Sequence, residues 1–233
     1  MAKPYETSIL VPTGYMVVHS FDLWGPVVNQ DIIGKLMLDA YESLSMEKGI
    51  DIREIRENVA NYIALMKGEP WAVGERKAAI IDAVDDPVLA AKTDIPYADG
   101  FYDDALATMR TIFEAKEGVV IFSSKPADWL KANLPEDIAA RLGEIYAGTK
   151  AKPEAFRKVY GSEKEKGRLV VSHTADELPE LIAALQSKLF NPDNIVYVNR
   201  NNSNSEDVVN RAGIGSYVGH LTSVNYTGMC KKR

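Results

Sequence analysis

What most constrains the fold of this chain is an alternation. Short apolar runs at 15–21, 119–124, 144–147, 169–171 and 194–198 are separated by stretches in which apolar residues recur at helical spacing. Runs this short suit strands, and the stretches between them are long enough to carry the chain back across a sheet. Helices are expected at 102–115, from about Ala127, at 154–160 and at 177–189. Strands joined by such crossovers lie parallel, with helices covering both faces. The sequence therefore predicts an α/β fold, a doubly wound parallel sheet.

One segment breaks the alternation. Ile32, Ile33, Leu36, Met37, Ala40, Tyr41 and Leu44 form one helical stripe, which Gly49 ends. A second helix is expected at 51–67 and a third at 75–92, the latter broken near Pro87. Consecutive helices with no strand between them mark an inserted helical subdomain. The α/β core is assigned to 1–28 and 97–233, and the helical cap to 29–96. Residues 1–14 read as an irregular arm or an extra edge strand. After Asn199 the pattern weakens to a loop at 201–205 and a short helix near 207–211.

Composition excludes several roles. With 27 basic and 33 acidic residues the net charge is −6, which argues against a nucleic-acid binder relying on a broad basic face. The only basic cluster, Lys231-Lys232-Arg233, reads as a solvated tail. No run approaches the roughly 20 apolar residues a membrane span needs. Cys230 is the sole cysteine, so neither an intrachain disulfide nor a cysteine-rich metal site can form. This suits a cytoplasmic protein. Oligomeric state, a dimer included, is left open by the sequence.

The chemistry sits where strands should end. The first run closes on Phe21-Asp22-Leu23-Trp24-Gly25-Pro26, a buried strand delivering one carboxylate to the edge where the chain must turn. Open α/β sheets bind ligands at that edge. Asp22 is thus a candidate nucleophile, although strand-ending aspartates also serve as turn or cap residues. Ser123 and Ser124, Lys152, and Ser172-His173-Thr174 with Asp176-Glu177 fall at later strand ends. Each can equally be a helix cap or an exposed helix start. His173 suits either acid–base work or a loop hydrogen bond, and His19, of opposite strand parity to Asp22, reads as structural. Trp71, Phe101 and Tyr102 line a pocket or simply pack.

Taken together and in order, these segments resemble the haloacid dehalogenase-like hydrolase superfamily. Phe21-Asp22-Leu23-Trp24-Gly25 resembles its first motif, Ser123 its second, Lys152-Pro153 its third and Ser172–Glu177 its fourth. The inserted helices lie where that superfamily often carries a cap. The resemblance implies that Asp22 attacks the substrate to form an aspartyl ester or phosphate. It implies that Lys152 orients that carboxylate, that Ser123 and Ser124 contact the substrate, and that the fourth motif supplies acid for magnesium or for positioning water.

Two departures redirect the expectation, Trp24 in the first motif and Ser172-His173 where the fourth motif usually opens with Gly-Asp, which depletes the ligand set for a metal. The superfamily's phosphatases usually carry a second aspartate two residues after the nucleophile, as general acid and base. Here that position is Trp24, and an indole cannot transfer the proton a phosphoester leaving group needs. An aromatic residue there is a feature of the 2-haloacid dehalogenases, which need no metal. Ser172-x-Thr174-x-x-Glu177 resembles their fourth segment, with Glu177 orienting water and Ser172, His173 and Thr174 near the substrate. Arg53, with Arg56 on the same helix, nearly matches the spacing of their carboxylate-binding cap arginine. The expectation is a hydrolase of small molecules with no cofactor, closest to a 2-haloacid dehalogenase. The alternatives are a phosphatase with magnesium on Asp22 and Asp176, and a catalytically degenerate binding protein on the same fold.

Overall fold

The computed structural model describes residues 9–11, 15–29, 32, 97–123, 133–143, 145–147, 153–200 and 204–232. The chain forms two compact units, one of Met1–Val27 with Tyr102–Arg233 and one of Val28–Phe101. In the second unit the two ends are tied to each other. Val28 forms an antiparallel bridge with Phe101, and Asn29 N–H donates to the Gly100 carbonyl at 2.7 Å. The three expected cap helices and the helix from Ala127 lie outside the described residues, as do Arg53, Arg56, Trp71, Ser124 and Lys152.

The first unit is built on strands β2 (Met16–Asp22), β3 (Gly118–Ser123), β4 (Ile145–Ala147), β5 (Arg168–Ala175), β6 (Ile195–Val198) and β7 (Ser216–Val218). They form one sheet in the order β4-β3-β2-β5-β6-β7, with every pairing parallel. This is the expected doubly wound α/β architecture. The strands that carry the chemistry, β2 and β5, are neighbours at its centre, where the strand order reverses. Much of the apolar surface of these strands and of β3 is covered: Val17, Val18, Phe21, Val120, Ile121 and Val171 are all buried.

Helices α1 (Asp103–Glu114), α2 (Glu136–Ala139), α3 (Pro153–Glu165), α4 (Leu178–Ser187) and α5 (Glu206–Arg211) flank the sheet. Spacing explains the buried stripe of α3, where Phe156, Val159, Tyr160 and Glu163 return to one face. Phe156, Val159 and Tyr160 join Leu181, Ala183 and Ala184 of α4, and Val18 and Phe122 of the sheet, in one core cluster. Burying each large apolar side chain there contributes about 1.5–3 kcal/mol. α4 ends at Lys188, which takes the left-handed conformation with φ 60°.

Three expectations need correcting. β5 runs on through Ala175, so Ser172, His173 and Thr174 lie inside a strand rather than at its end. The basic pair Lys231-Lys232 is no solvated tail by backbone, because β8 (Cys230–Lys232) pairs in parallel with β1 (Ile9–Val11). That ladder forms a separate two-stranded sheet, so the N-terminal segment does not extend the main one. β7, which follows the glycines at 213 and 215, completes the main sheet on the side of β6, beyond where the apolar pattern fades. Among the described residues no helix is long and apolar enough to cross a membrane.

Candidate active site

Asp22 is the last residue of β2, half-buried, at the carboxyl edge of the sheet. Beyond it the chain turns tightly. Leu23 N–H still donates to Phe122 O of the neighbouring strand at 3.0 Å, and Val27 N–H closes back on Leu23 O at 3.3 Å. Gly25 sits in the turn with φ +86°. A Cβ at this position would coincide with the Asp176 carboxylate. Glycine is therefore required twice here, by the backbone conformation and by the close approach of the acid.

Around Asp22 the field is negative. Burial pushes its carboxyl well above the ordinary value of 3.8, and the charges of Glu180, Asp176 and Glu177 add to the shift, against a hydrogen bond from Leu23 N–H. Asp176 is raised well above the same value, first by burial and then by Glu177, while its own backbone N–H opposes the shift; Glu180 raises it further and Arg200 lowers it. Its Oδ1 is buried and has no hydrogen-bond partner among the described residues. Glu177 is exposed at the start of α4.

His173 lies below this edge, fully buried among the rings of Phe156, Phe122 and Phe190, at centroid distances of 4.8, 5.7 and 6.3 Å. Its Nδ1 is 2.9 Å from Ser20 Oγ and its Nε2 is 2.9 Å from Glu180 Oε1. Ser20 Oγ also meets Tyr160 OH at 2.9 Å and donates to Ser172 O at 2.8 Å. The opposite face of the same two strands carries a second polar pair. His19 Nδ1 meets Ser172 Oγ at 2.8 Å and its Nε2 meets Glu117 Oε2 at 3.0 Å. Burial lowers the His19 pKa below 6.5 despite Glu117. Thr174 Oγ1 is bound to Tyr226 OH at 2.8 Å.

The structure thus gathers Asp22, Asp176, Glu177 and, underneath, His173. Ser123 ends β3 at the same edge, one residue beyond Phe122, the register partner of Asp22. Ser172 and Thr174 are not brought to the edge; they are buried and bonded to His19 and Tyr226. Trp24 is 5% exposed and packs in the core.

Two residues of consequence escaped the sequence reading. Glu180 gave no signal, since an acid in the first turn of a helix is ordinary. Arg200 did give one, because it follows β6 at the same edge. Its guanidinium grips Asp104 with both terminal nitrogens at 3.0 and 2.8 Å, and Nη2 also donates to Pro26 O at 2.9 Å. It stacks 4.0 Å over the Tyr102 ring. Burial alone would push the Asp104 carboxyl up, but Arg200 and Leu221 N–H outweigh it and hold it below 3.8. This clamp fixes the turn that follows Asp22.

Magnesium takes oxygen donors, and Asp22 and Asp176 are of the right type. Among the described residues, however, no group of three or more histidine, cysteine or acidic side chains is arranged to hold a metal ion. The described side chains fall short of a magnesium cage.

The central six-stranded parallel sheet with flanking helices is the α/β fold of haloacid dehalogenase-like structures. Solved structures share it. A Clostridium acetobutylicum protein described as a predicted phosphatase has a TM-score of 0.57 at 19% identity, over 90% of this chain and 95% of its own. A dehalogenase with an intermediate complex has a TM-score of 0.50 at 14% identity, over 90% and 95%. YfnB of Bacillus subtilis, described as a HAD-hydrolase bound to magnesium, has a TM-score of 0.54 at 12% identity, over 90% and 96%. No protein-family model matches the sequence, and no curated protein matches it in a sequence search.

Proposed function

We propose that this protein is a hydrolase of small molecules that works through a covalent ester on Asp22 and displaces halide, as a 2-haloacid dehalogenase does. The observation that carries the reading is the buried indole of Trp24, two residues beyond Asp22 and 5% exposed. A phosphoester needs a proton for its leaving group, and an indole N–H does not supply one. Halide leaves without a proton.

In the first step an Asp22 oxygen attacks the carbon bearing the halogen; the carbon–halogen bond breaks and halide departs with the bonding pair. In the second, water attacks the Asp22 carboxyl carbon, releasing a hydroxy acid and restoring the carboxylate. Glu177, exposed at the edge, takes the proton from that water. Ser123 and Ser124 contact the substrate carboxylate, Lys152 offsets the negative field around Asp22, and Arg53 in the inserted segment contributes to specificity. The sole cysteine fits a cytoplasmic setting.

The test is turnover of 2-chloropropionate and of an aryl phosphate by the purified protein, each with magnesium and with chelator, beside Asp22→Ala. Halide release that survives chelator and disappears with Asp22→Ala is the expected result. Magnesium-dependent phosphate release would overturn it in favour of a phosphatase using Asp22 and Asp176. Silence with both substrates would overturn it in favour of a binding protein on a degenerate site.

A further inference from the structure

The edge at which the strands begin, opposite Asp22, holds a cavity of about 390 Å³. That volume admits a small organic ligand. β2 runs from Met16 at this edge to Asp22 at the other, so the two edges lie about 20 Å apart. Gly118, which opens β3, and Gly143, shortly before β4, line the cavity without side chains. A Cβ on Gly143 would lie 3.0 Å from Val119 O and 3.5 Å from Arg168 Nη1. The Arg168 guanidinium therefore reaches over bare backbone at the cavity wall.

The lining joins apolar walls to cations. Phe113, Val119 and Leu142 supply the first, and Lys116, Arg141 and Arg168 the second. Glu117 is the one lining carboxylate, so this edge is cationic in a chain whose net charge is −6. One Glu117 oxygen is already met by His19 Nε2 at 3.0 Å. Arg168 Nη1 is shared with the buried Glu163 at 3.4 Å. Among the described residues neither Lys116 nor Arg141 is paired with a carboxylate. Arg141 is nevertheless held in place. Its Nη2 donates to Phe113 O at 2.6 Å, and its guanidinium lies 4.8 Å over the Phe113 ring. Cation and apolar wall are thus one fixed unit, with most of the five guanidinium N–H donors unspent.

We propose that this cavity binds a small organic anion. Its carboxylate or phosphate head meets Arg141, Lys116 and Arg168, and its apolar body lies against Phe113, Val119 and Leu142. Arginine takes either head group in a forked pair of hydrogen bonds. An inorganic anion would leave the apolar walls wet, and a neutral molecule would leave the cations unmatched. The site shares no residue with the Asp22 edge, so the proposal stands apart from the hydrolase reading.

The probe is anilinonaphthalene sulfonate, a fluorescent dye with an anionic group on an apolar ring system. The wild type is expected to bind it saturably, and added salt to weaken the binding. Lys116→Glu and Arg141→Gln change exposed side chains, and each is expected to weaken binding by about tenfold. The Lys116 side chain makes none of the bonds described here, so a loss in Lys116→Glu reports its charge rather than packing. Asp22→Ala, at the far edge, should leave dye binding unchanged. Octanoate and octyl phosphate are both expected to displace the dye, and the more potent of the two identifies the preferred head group. Octanol and inorganic phosphate, each with half of the chemistry, should displace it far less well. The proposal is overturned by dye that does not bind, by binding indifferent to both Lys116→Glu and Arg141→Gln, or by octanol that competes as well as octanoate. Binding lost in Asp22→Ala would overturn it too, by placing the dye at the catalytic edge.

Discussion

Gly25→Ala tests whether the turn after Asp22 was selected for the acid that rests on it. At φ +86° any residue other than glycine is strained, by about 1–2 kcal/mol. The added methyl would also occupy the space of the Asp176 carboxylate, which is enclosed and must move aside by on the order of 1 Å. Together these terms predict a loss of about 2–4 kcal/mol, which sits at the severe end for a single substitution. In a domain of this size that lowers Tm by about 5–15 °C. Displacing a site carboxylate by that distance is further expected to reduce turnover by about 100-fold. Urea denaturation of wild type, Gly25→Ala, Asp176→Ala and the double variant separates the two terms. With Asp176 truncated the methyl has room, so Gly25→Ala then costs only the backbone strain. A coupling of at least about 1 kcal/mol is expected. Equal costs in both backgrounds would refute the close approach as the reason for this glycine.

Two further outcomes follow from buried charges. Arg200→Ala removes both bonds to Asp104 and the bond to Pro26 O, leaving the carboxylate partly buried beside Leu221 N–H. It should destabilise by about 3 kcal/mol in urea denaturation and lower kcat more than it raises KM; unchanged stability would contradict the clamp. His19 has its pKa lowered in the folded state, so the unfolded chain binds more protons as pH falls through 6.5. Its contribution to stability is present above that pH and is lost below it. The raised acids Asp22 and Asp176 slope the other way, so the measurement is the difference between wild type and His19→Gln. Relative to the variant, the wild type should lose stability between about pH 7 and pH 5.5, by at most about 1.4 kcal/mol per unit; parallel curves would show His19 is not held neutral.

The parallel sheet was legible because each of its first five strands is a run of apolar residues too short for a helix. Asp22 was legible because an acid followed by Gly25 and Pro26 must leave the strand. β7 was not, since Ser216-Tyr217-Val218 is three residues long between glycines and gains its place only by pairing with β6. Nor was the end of β5. Ser172-His173-Thr174 looks like a polar exit from a strand, because composition alone cannot reveal that each side chain finds a buried partner on another element. Those partners, His19 for Ser172, Ser20 for His173 and Tyr226 for Thr174, are distant in sequence and belong to the first strand of the main sheet and to the tail. Arg200 was within reach of the same strand-end rule that found Asp22 and was lost because the pattern fades after Val198.

A single irregularity decides which chemistry lies under Asp22. Val18 pairs with Val170 but His19 pairs with Ser172, so Val171 is an extra residue against β2. Such a bulge re-aims every side chain beyond it. With regular register His19 would face Val171, Ser20 would face Ser172, and His173 would fall opposite Phe21. Because residues in register on parallel strands share a face, the imidazole would then point to the side of Tyr226, away from Asp22. Glu180, on the helix that leaves β5, would have no imidazole within reach of Nε2. The shift instead sets His173 beside Ser20 and places Ser172 against His19, satisfying two buried histidines at once. What the extra residue adds is the polar column that ends at the candidate nucleophile, and a bulge at the centre of a sheet is retained for such a reason rather than for stability.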